Sequence, residues 1–145
     1  MPPTRVLFLC VHNSARSQLA EGILRARAGD RVQVFSAGSA PSYVHPLALR
    51  VLQERGIDVS QHRSKSVDEF AHTQFDYVIT LCAEEVCPIF LGATQKLHWA
   101  LPDPSAVPGN DSEQLDAFRQ TANELEKRLR LFLKERNLDA HPRHE

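Results

Sequence analysis

Val6-Leu7-Phe8-Leu9-Cys10-Val11-His12-Asn13-Ser14-Ala15-Arg16-Ser17-Gln18-Leu19-Ala20-Glu21 is the stretch whose reading decides the fold. It opens on a short apolar run, hydrophobic on both faces, which suits a buried parallel strand. The run ends on Cys10, and five residues separate that cysteine from Arg16. From Ser14 onward the residue types favour helix, with Leu19 and Ile23 marking a buried face at i,i+4. Strand, tight loop and helix together set Cys10 at the carboxyl end of a strand, facing the positive end of a helix.

That placement has chemical consequences. Backbone N–H groups of Val11, His12, Asn13, Ser14, Ala15 and Arg16 can converge on one centre, and helix N-termini bind anions for the same reason. Arg16 adds a permanent charge whose planar fork suits a tetrahedral oxyanion. The thiolate is the reactive form of cysteine, and such surroundings favour it. Asn13 tolerates the positive φ that so tight a loop calls for. Ser14 and Ser17 offer hydroxyls to the sulfur or to a bound oxyanion. A buried structural cysteine beside an unrelated surface arginine is the plainer alternative. A nucleotide-binding loop is excluded, because the Gly-Lys-Ser/Thr ending is missing.

Working outward, the 145 residues and 42% hydrophobic content fit one domain with one core. A net charge of −1 gives no footprint for nucleic acid or for an anionic membrane surface. No stretch reaches the length of a membrane span, and the start leaves no room for a secretion signal before the first strand. Three cysteines without a Cys-x2-Cys pair argue against a disulfide framework or a zinc ribbon, so a cytoplasmic location is expected.

Along the chain, a helix is expected from about Ser14 to Ala28, stopping at Gly29-Asp30. Arg31 to Ser36 alternates as a strand, and Ala37-Gly38 turns it. Pro46 opens a second helix with Leu47, Ala48, Val51 and Leu52 as its apolar stripe, and Gly56 caps its end. Ser66-x-x-Glu69 reads as a capping box for a short helix. Asp76 to Cys82 is the third strand and Lys96 to Trp99 a short fourth. Leu101 to Asn110 is proline-rich loop. Asp111 or Ser112 caps the last helix, in which Leu115, Phe118, Ala122, Leu125, Leu129 and Phe132 keep a helical rhythm. The expected organisation is one domain over 1–138 with a frayed tail over 139–145. Alternating strands and helices give an α/β doubly wound domain, with sites beyond the carboxyl ends of the strands.

Cys10-x5-Arg16-Ser17 directly after a first strand resembles the low-molecular-weight tyrosine phosphatase superfamily. The fuller string from Cys10 to Gly22 resembles the arsenate reductases of that superfamily, the kind coupled to thioredoxin. The likeness continues through Phe35-Ser36-Ala37-Gly38, Ile79-Thr80-Leu81-Cys82 and His98-Trp99 to Asp103-Pro104. It implies a four-stranded parallel sheet flanked by helices on both faces, with Cys10 and Cys82 opening onto one edge.

The resemblance also assigns roles. Asp103 becomes the general acid that protonates a departing oxygen, although Asp-Pro is an ordinary turn signal as well. Cys82 and Cys87 become a relay in which Cys82 attacks Cys10 and Cys87 then attacks Cys82. Small core-filling cysteines are the alternative. A helical Cys82–Cys87 segment would hold the two Cα atoms about 8–9 Å apart, whereas a disulfide needs less than about 7 Å. A mobile loop between Cys82 and Pro88 is therefore expected. Asn13, Glu21 and Ser36 match positions where some relatives hold a potassium ion. Here the Lys65 ammonium is expected to take that place, so no metal ligand and no cofactor is assigned.

The expected function is reduction of arsenate, for which phosphate or sulfate would be a mimic, with thioredoxin or glutaredoxin as reductant and a monomeric chain. A phosphatase for phosphotyrosine or small phosphomonoesters is the first rival. Ser105-Ala106-Val107 after the Asp-Pro pair supplies no aromatic wall for it, and the only tyrosines are Tyr43 and Tyr77. A redox- or anion-responsive module without turnover is the second.

Overall fold

The computed structural model of the chain describes residues 2–83 and 88–138. Strands β1 (Thr4–Cys10), β2 (Val32–Gly38), β3 (Phe75–Thr80) and β4 (Ala93–His98) form one parallel sheet in the order β2-β1-β3-β4. Helices α1 (Arg16–Ala28), α2 (Pro46–Glu54) and α3 (Asp111–Glu135) accompany it. The chain winds from β1 outward to β2, then crosses back to lay β3 on the other side of β1. That reversal opens a crevice beyond the carboxyl ends of β1 and β3, where open α/β sheets hold their ligands.

Alternation along β1 divides the core in two, because successive side chains of a strand point to opposite faces. Val6 and Phe8 pack with Leu19 and Ile23 of α1, Val51 and Leu52 of α2, and Leu115, Phe118, Leu125 and Leu129 of α3. Leu7 and Leu9 pack with Ala37, Phe75, Val78 and Phe90, and against Phe35, Val67 and Phe70. All three α-helices therefore bury their apolar sides in one cluster. The helical cover expected on the second face is a 3-10 turn, Val67–Phe70. Each large apolar side chain so buried is worth about 1.5–3 kcal/mol. Cys10 shares its parity with Val6 and Phe8, so it opens toward the α1 side.

Local chemistry shifts several expected boundaries. The third strand ends at Thr80 rather than Cys82, whose segment leaves the sheet after Leu81 donates its N–H to the Leu9 carbonyl at 2.9 Å. The fourth strand begins earlier, at Ala93, and ends at His98. The cap of α3 is Asn110, one residue before the two expected, and it forms a complete capping box with Glu113. The box expected at Ser66 does not close. Ser66 accepts from the Asp68 N–H, while Glu69 is drawn off by a two-pronged pairing with Arg63 at 3.0 and 2.7 Å. Gly56, at φ 77°, ends α2 as expected. No helix among the described residues is long and apolar enough to cross a membrane. The expected mobile loop and the frayed tail fall on 84–87 and 139–145, which lie outside the described residues.

Candidate active site

The site grows out of the turn between β1 and α1. Cys10 ends its strand 2% exposed, as a free thiol, with Sγ 2.8 Å from the Ser17 hydroxyl. Asn13 takes the left-handed conformation at φ 49°, as the tightness of the loop demanded. The carbonyls of Val11, His12 and Ser14 accept from the N–H groups of Ala40, Ser42 and His45 at 2.8, 3.3 and 3.0 Å. Because a trans peptide sets each N–H opposite its carbonyl, the N–H groups of His12, Asn13 and Ala15 turn away from those partners. Helix α1 has no side-chain cap and no acidic residue in its first turn, so its leading N–H groups form an anion-favouring end.

Gly38, at the end of β2, lets the loop close against the sheet. A β-carbon there would lie 2.3 Å from the Val11 carbonyl oxygen and 2.9 Å from the Asn13 nitrogen. The sequence reading made this residue a turn former; its necessity is the close approach of two backbones.

Arg16 is 4% exposed. Its Nη1 donates to the Leu101 carbonyl at 2.9 Å and to Leu81 at 3.4 Å, and Nη2 lies 3.9 Å from Asp103 Oδ2. Asp103 caps the 3-10 turn Pro104–Ala106. Its Oδ1 accepts from the Ser105 N–H at 2.9 Å and the Ser105 hydroxyl at 2.7 Å, which leaves Oδ2 as the oxygen on the arginine side. Cys10, Arg16 and Asp103 thus meet in one cavity of about 360 Å3. His12, Ser14 and Ala15 line it with them, and so do Ser42, Tyr43, His45 and Ser105. The last four carried no site signal in the sequence, because their partners come from other loops. Tyr43 stacks on His45 at 6.3 Å between ring centroids, so the mouth has an aromatic edge supplied from outside the segment that follows Asp103. Burial lowers the pKa of His45, against the opposing pull of the Asp103 charge, which favours a neutral ring.

Cys82 lies two residues beyond β3, at the same end of the sheet as Cys10. Leu9 pairs with Thr80 in the parallel register, and Leu81 hydrogen-bonds back to Leu9. Cys82 is 1% exposed and engaged in a disulfide. Cys87 lies outside the described residues.

Beneath the loop, Lys65 Nζ is 3.6 Å from Glu21 Oε1, 3.4 Å from the Ser36 hydroxyl and 2.8 Å from the Arg63 carbonyl. Ser36 also donates to Glu21, and Arg25 meets the other Glu21 oxygen at 2.8 Å. The Lys65 backbone N–H donates to Asn13 Oδ1 at 2.8 Å, so the ion pair is joined to the loop. Burial pushes the Glu21 carboxyl up, but Lys65, the Ser36 hydrogen bond and Arg25 outweigh it and hold the pKa below 4.5. Burial lowers the Lys65 ammonium despite the attraction of Glu21.

A cysteine thiol at the end of the first strand, a buried arginine and a carboxyl meet in one crevice of an α/β fold. The chain belongs to the low molecular weight phosphotyrosine protein phosphatase family, whose model matches residues 5–141. It is 38% identical over 129 residues to an arsenate reductase of Halalkalibacterium halodurans, covering 88% of this chain and 93% of that one. It is 35% identical, with the same two coverages, to an arsenate reductase of Bacillus subtilis. Among solved structures it resembles an arsenate reductase in its phosphate-binding state, with a TM-score of 0.75 at 31% identity over 91% of this chain and 98% of the other. A thioredoxin-dependent arsenate reductase of Corynebacterium glutamicum is 38% identical with a TM-score of 0.63, covering 90% of this chain and 64% of that one.

Proposed function

We propose that this chain is an arsenate reductase that converts arsenate to arsenite through Cys10, Cys82 and Cys87 and is reset by thioredoxin. The observation that carries the reading is the juxtaposition at the ends of β1 and β3. A free Cys10 ends β1, and Cys82 follows two residues after β3, at the same end of the sheet. A phosphatase of this design has no use for a second, disulfide-forming cysteine at that end of the sheet.

The loop N–H groups and Arg16 hold the oxyanion with its arsenic in front of Cys10 Sγ. The thiolate attacks arsenic(V), and Asp103 gives its proton to the departing oxygen, which leaves as water. Cys82 then attacks Cys10 Sγ. The sulfur–arsenic electron pair stays with arsenic, which leaves as arsenite, and a Cys10–Cys82 disulfide forms. Cys87 attacks Cys82, freeing the Cys10 thiolate, and an external dithiol reduces the Cys82–Cys87 disulfide. Two electrons pass from two protein thiols to arsenic, and two from the reductant restore them. Arsenate and phosphate are nearly alike in shape and charge, so selectivity comes from the reducibility of arsenic(V) by thiols.

The Lys65 ammonium serves in this reading as a built-in cation under the loop, with Glu21, Ser36 and Asn13 as its partners. Residues 1–138 act as a single cytoplasmic, monomeric catalytic domain. The test is arsenate-dependent oxidation of NADPH, run with thioredoxin and its reductase and again with a glutaredoxin system. Turnover with thioredoxin is expected. Hydrolysis of a phosphate ester with no arsenate turnover in either system would leave the phosphatase reading in its place.

A further inference from the structure

A buried polar chain runs from the oxyanion loop to the far side of α1. The amide of Gln18 faces three oxygens, the Asn13 carbonyl at 3.0 Å, Asn13 Oδ1 at 3.0 Å and the Arg63 carbonyl at 2.8 Å. Three acceptors around one end of an amide require its nitrogen there. Gln18 Oε1 therefore faces His62 Nδ1, 2.8 Å away, and an acceptor at that place makes Nδ1 the donor. The neutral ring carries its proton on Nδ1, and Nε2 is the bare nitrogen. Nε2 is buried and has no partner among the described residues. The ring packs beside Gly22 of α1, where a β-carbon would crowd Leu52 at 2.8 Å and only touch His62 Cε1 at 3.4 Å.

The same logic runs on to the sulfur. Asn13 Oδ1 accepts from Gln18 and from the Lys65 N–H, which turns Nδ2 toward the Ser17 hydroxyl at 2.8 Å. Ser17 Oγ is thus an acceptor for Asn13, and its single proton is left for Cys10 Sγ at 2.8 Å. Asn13, Ser17 and Gln18 are fully buried, where each bond is strengthened by the low local dielectric and by its neighbours.

We propose that His62 is a positioning residue for Cys10, acting through Gln18, Asn13 and Ser17 to aim the Ser17 hydroxyl proton at the sulfur. The proposal rests on the reading of Cys10 as the nucleophile and adds the source of its hydrogen-bond polarity. Burial lowers the His62 pKa. The charge of Glu21, and more weakly that of Asp58, opposes this, while Arg25 and Lys65 reinforce it; Nδ1 donates to Gln18 in either protonation state of the ring.

The test needs no arsenate. The reduced full-length chain is alkylated with iodoacetamide across a pH series, and modification of the Cys10 peptide is followed by mass spectrometry. His62→Leu removes the donor, so Cys10 alkylation near neutral pH is expected to slow about threefold to tenfold, the worth of one buried hydrogen bond, with the profile moved to higher pH. His62→Gln offers an amide N–H in place of Nδ1–H and is expected within about twofold of the native rate. A native profile in the leucine variant, or equal slowing in both variants, overturns the proposal. If circular dichroism shows that His62→Leu does not fold, Gln18→Met is read instead: slowing is expected, and a native rate overturns the proposal. A Cys10 that resists alkylation in the native chain itself would instead remove the nucleophile reading, a result distinct from the others.

Discussion

Gly38 and Val11 approach so closely that a β-carbon on Gly38 would lie 2.3 Å from the Val11 carbonyl oxygen. The other atoms it would meet, the Cys10 carbonyl oxygen and the Asn13 nitrogen at 2.9 Å, are backbone too, so no flexible side-chain end can yield. Gly38→Ala must push the oxyanion loop off the sheet. The expected cost is about 1–3 kcal/mol of stability, with loss of phosphate as a competitive inhibitor. Urea unfolding and inhibition assays measure the two effects.

Glu21 and Lys65 make stability depend on acid. The folded-state pKa of Glu21 is lowered, so its contribution is present above the ordinary value of 4.5 and is lost as pH falls below it, through the lowered folded value. Glu21→Gln should flatten the acid limb of a melting-temperature profile. It should cost about 3 kcal/mol near neutral pH, the lower end for a broken buried pair, because Lys65 keeps its bond to Arg63. With Lys65 in place, potassium in exchange for sodium is expected to change neither melting temperature nor rate. A potassium-specific gain would remove the ammonium from its assigned role.

Cys82→Ser separates reduction from oxyanion chemistry. Arsenate turnover should fall to background, because the thiol that attacks Cys10 in the proposed relay is gone, while slow hydrolysis of p-nitrophenyl phosphate persists. Stopped assays of arsenite release and of nitrophenol release give both numbers from one preparation.

Asp103→Asn removes the transferable proton but keeps the turn, since the amide oxygen still accepts from Ser105. Turnover should drop about 10²–10⁴-fold, with arsenate affinity little changed, visible as a fall in kcat at nearly constant KM. An ester with a good leaving group should lose less.

What the sequence revealed follows from how far apart the interacting partners lie. The Val6–Leu9 run and the Leu115–Phe132 rhythm are periodic, so strand, helix and buried faces could be read directly; every residue of that rhythm is buried. Cys10, Arg16 and Ser17 lie within one turn, and their convergence was legible for that reason. The end of the third strand was not, because its pairing with β1 stops at Leu9 and Thr80 and not where apolar character does. Ser66 lost its box to a competitor, Arg63, that no local pattern weighs. His62 sits 44 positions from Gln18, and the Lys65 ammonium pairs with Glu21 from the other end of a crossover. The second pairing was anticipated only through family likeness, and the first had no signal at all.

Arg16 is held before any substrate arrives. One guanidinium nitrogen is fastened to the carbonyls of Leu101 and Leu81, which lie just ahead of Asp103 and Cys82 respectively. The side chain would therefore give up little rotational freedom when an oxyanion docks, and its plane is set in advance by the two chain segments that the proposed relay uses next. Recognition and chemistry share a common scaffold: a shift in either segment would tilt the fork, and a correctly seated oxyanion steadies both.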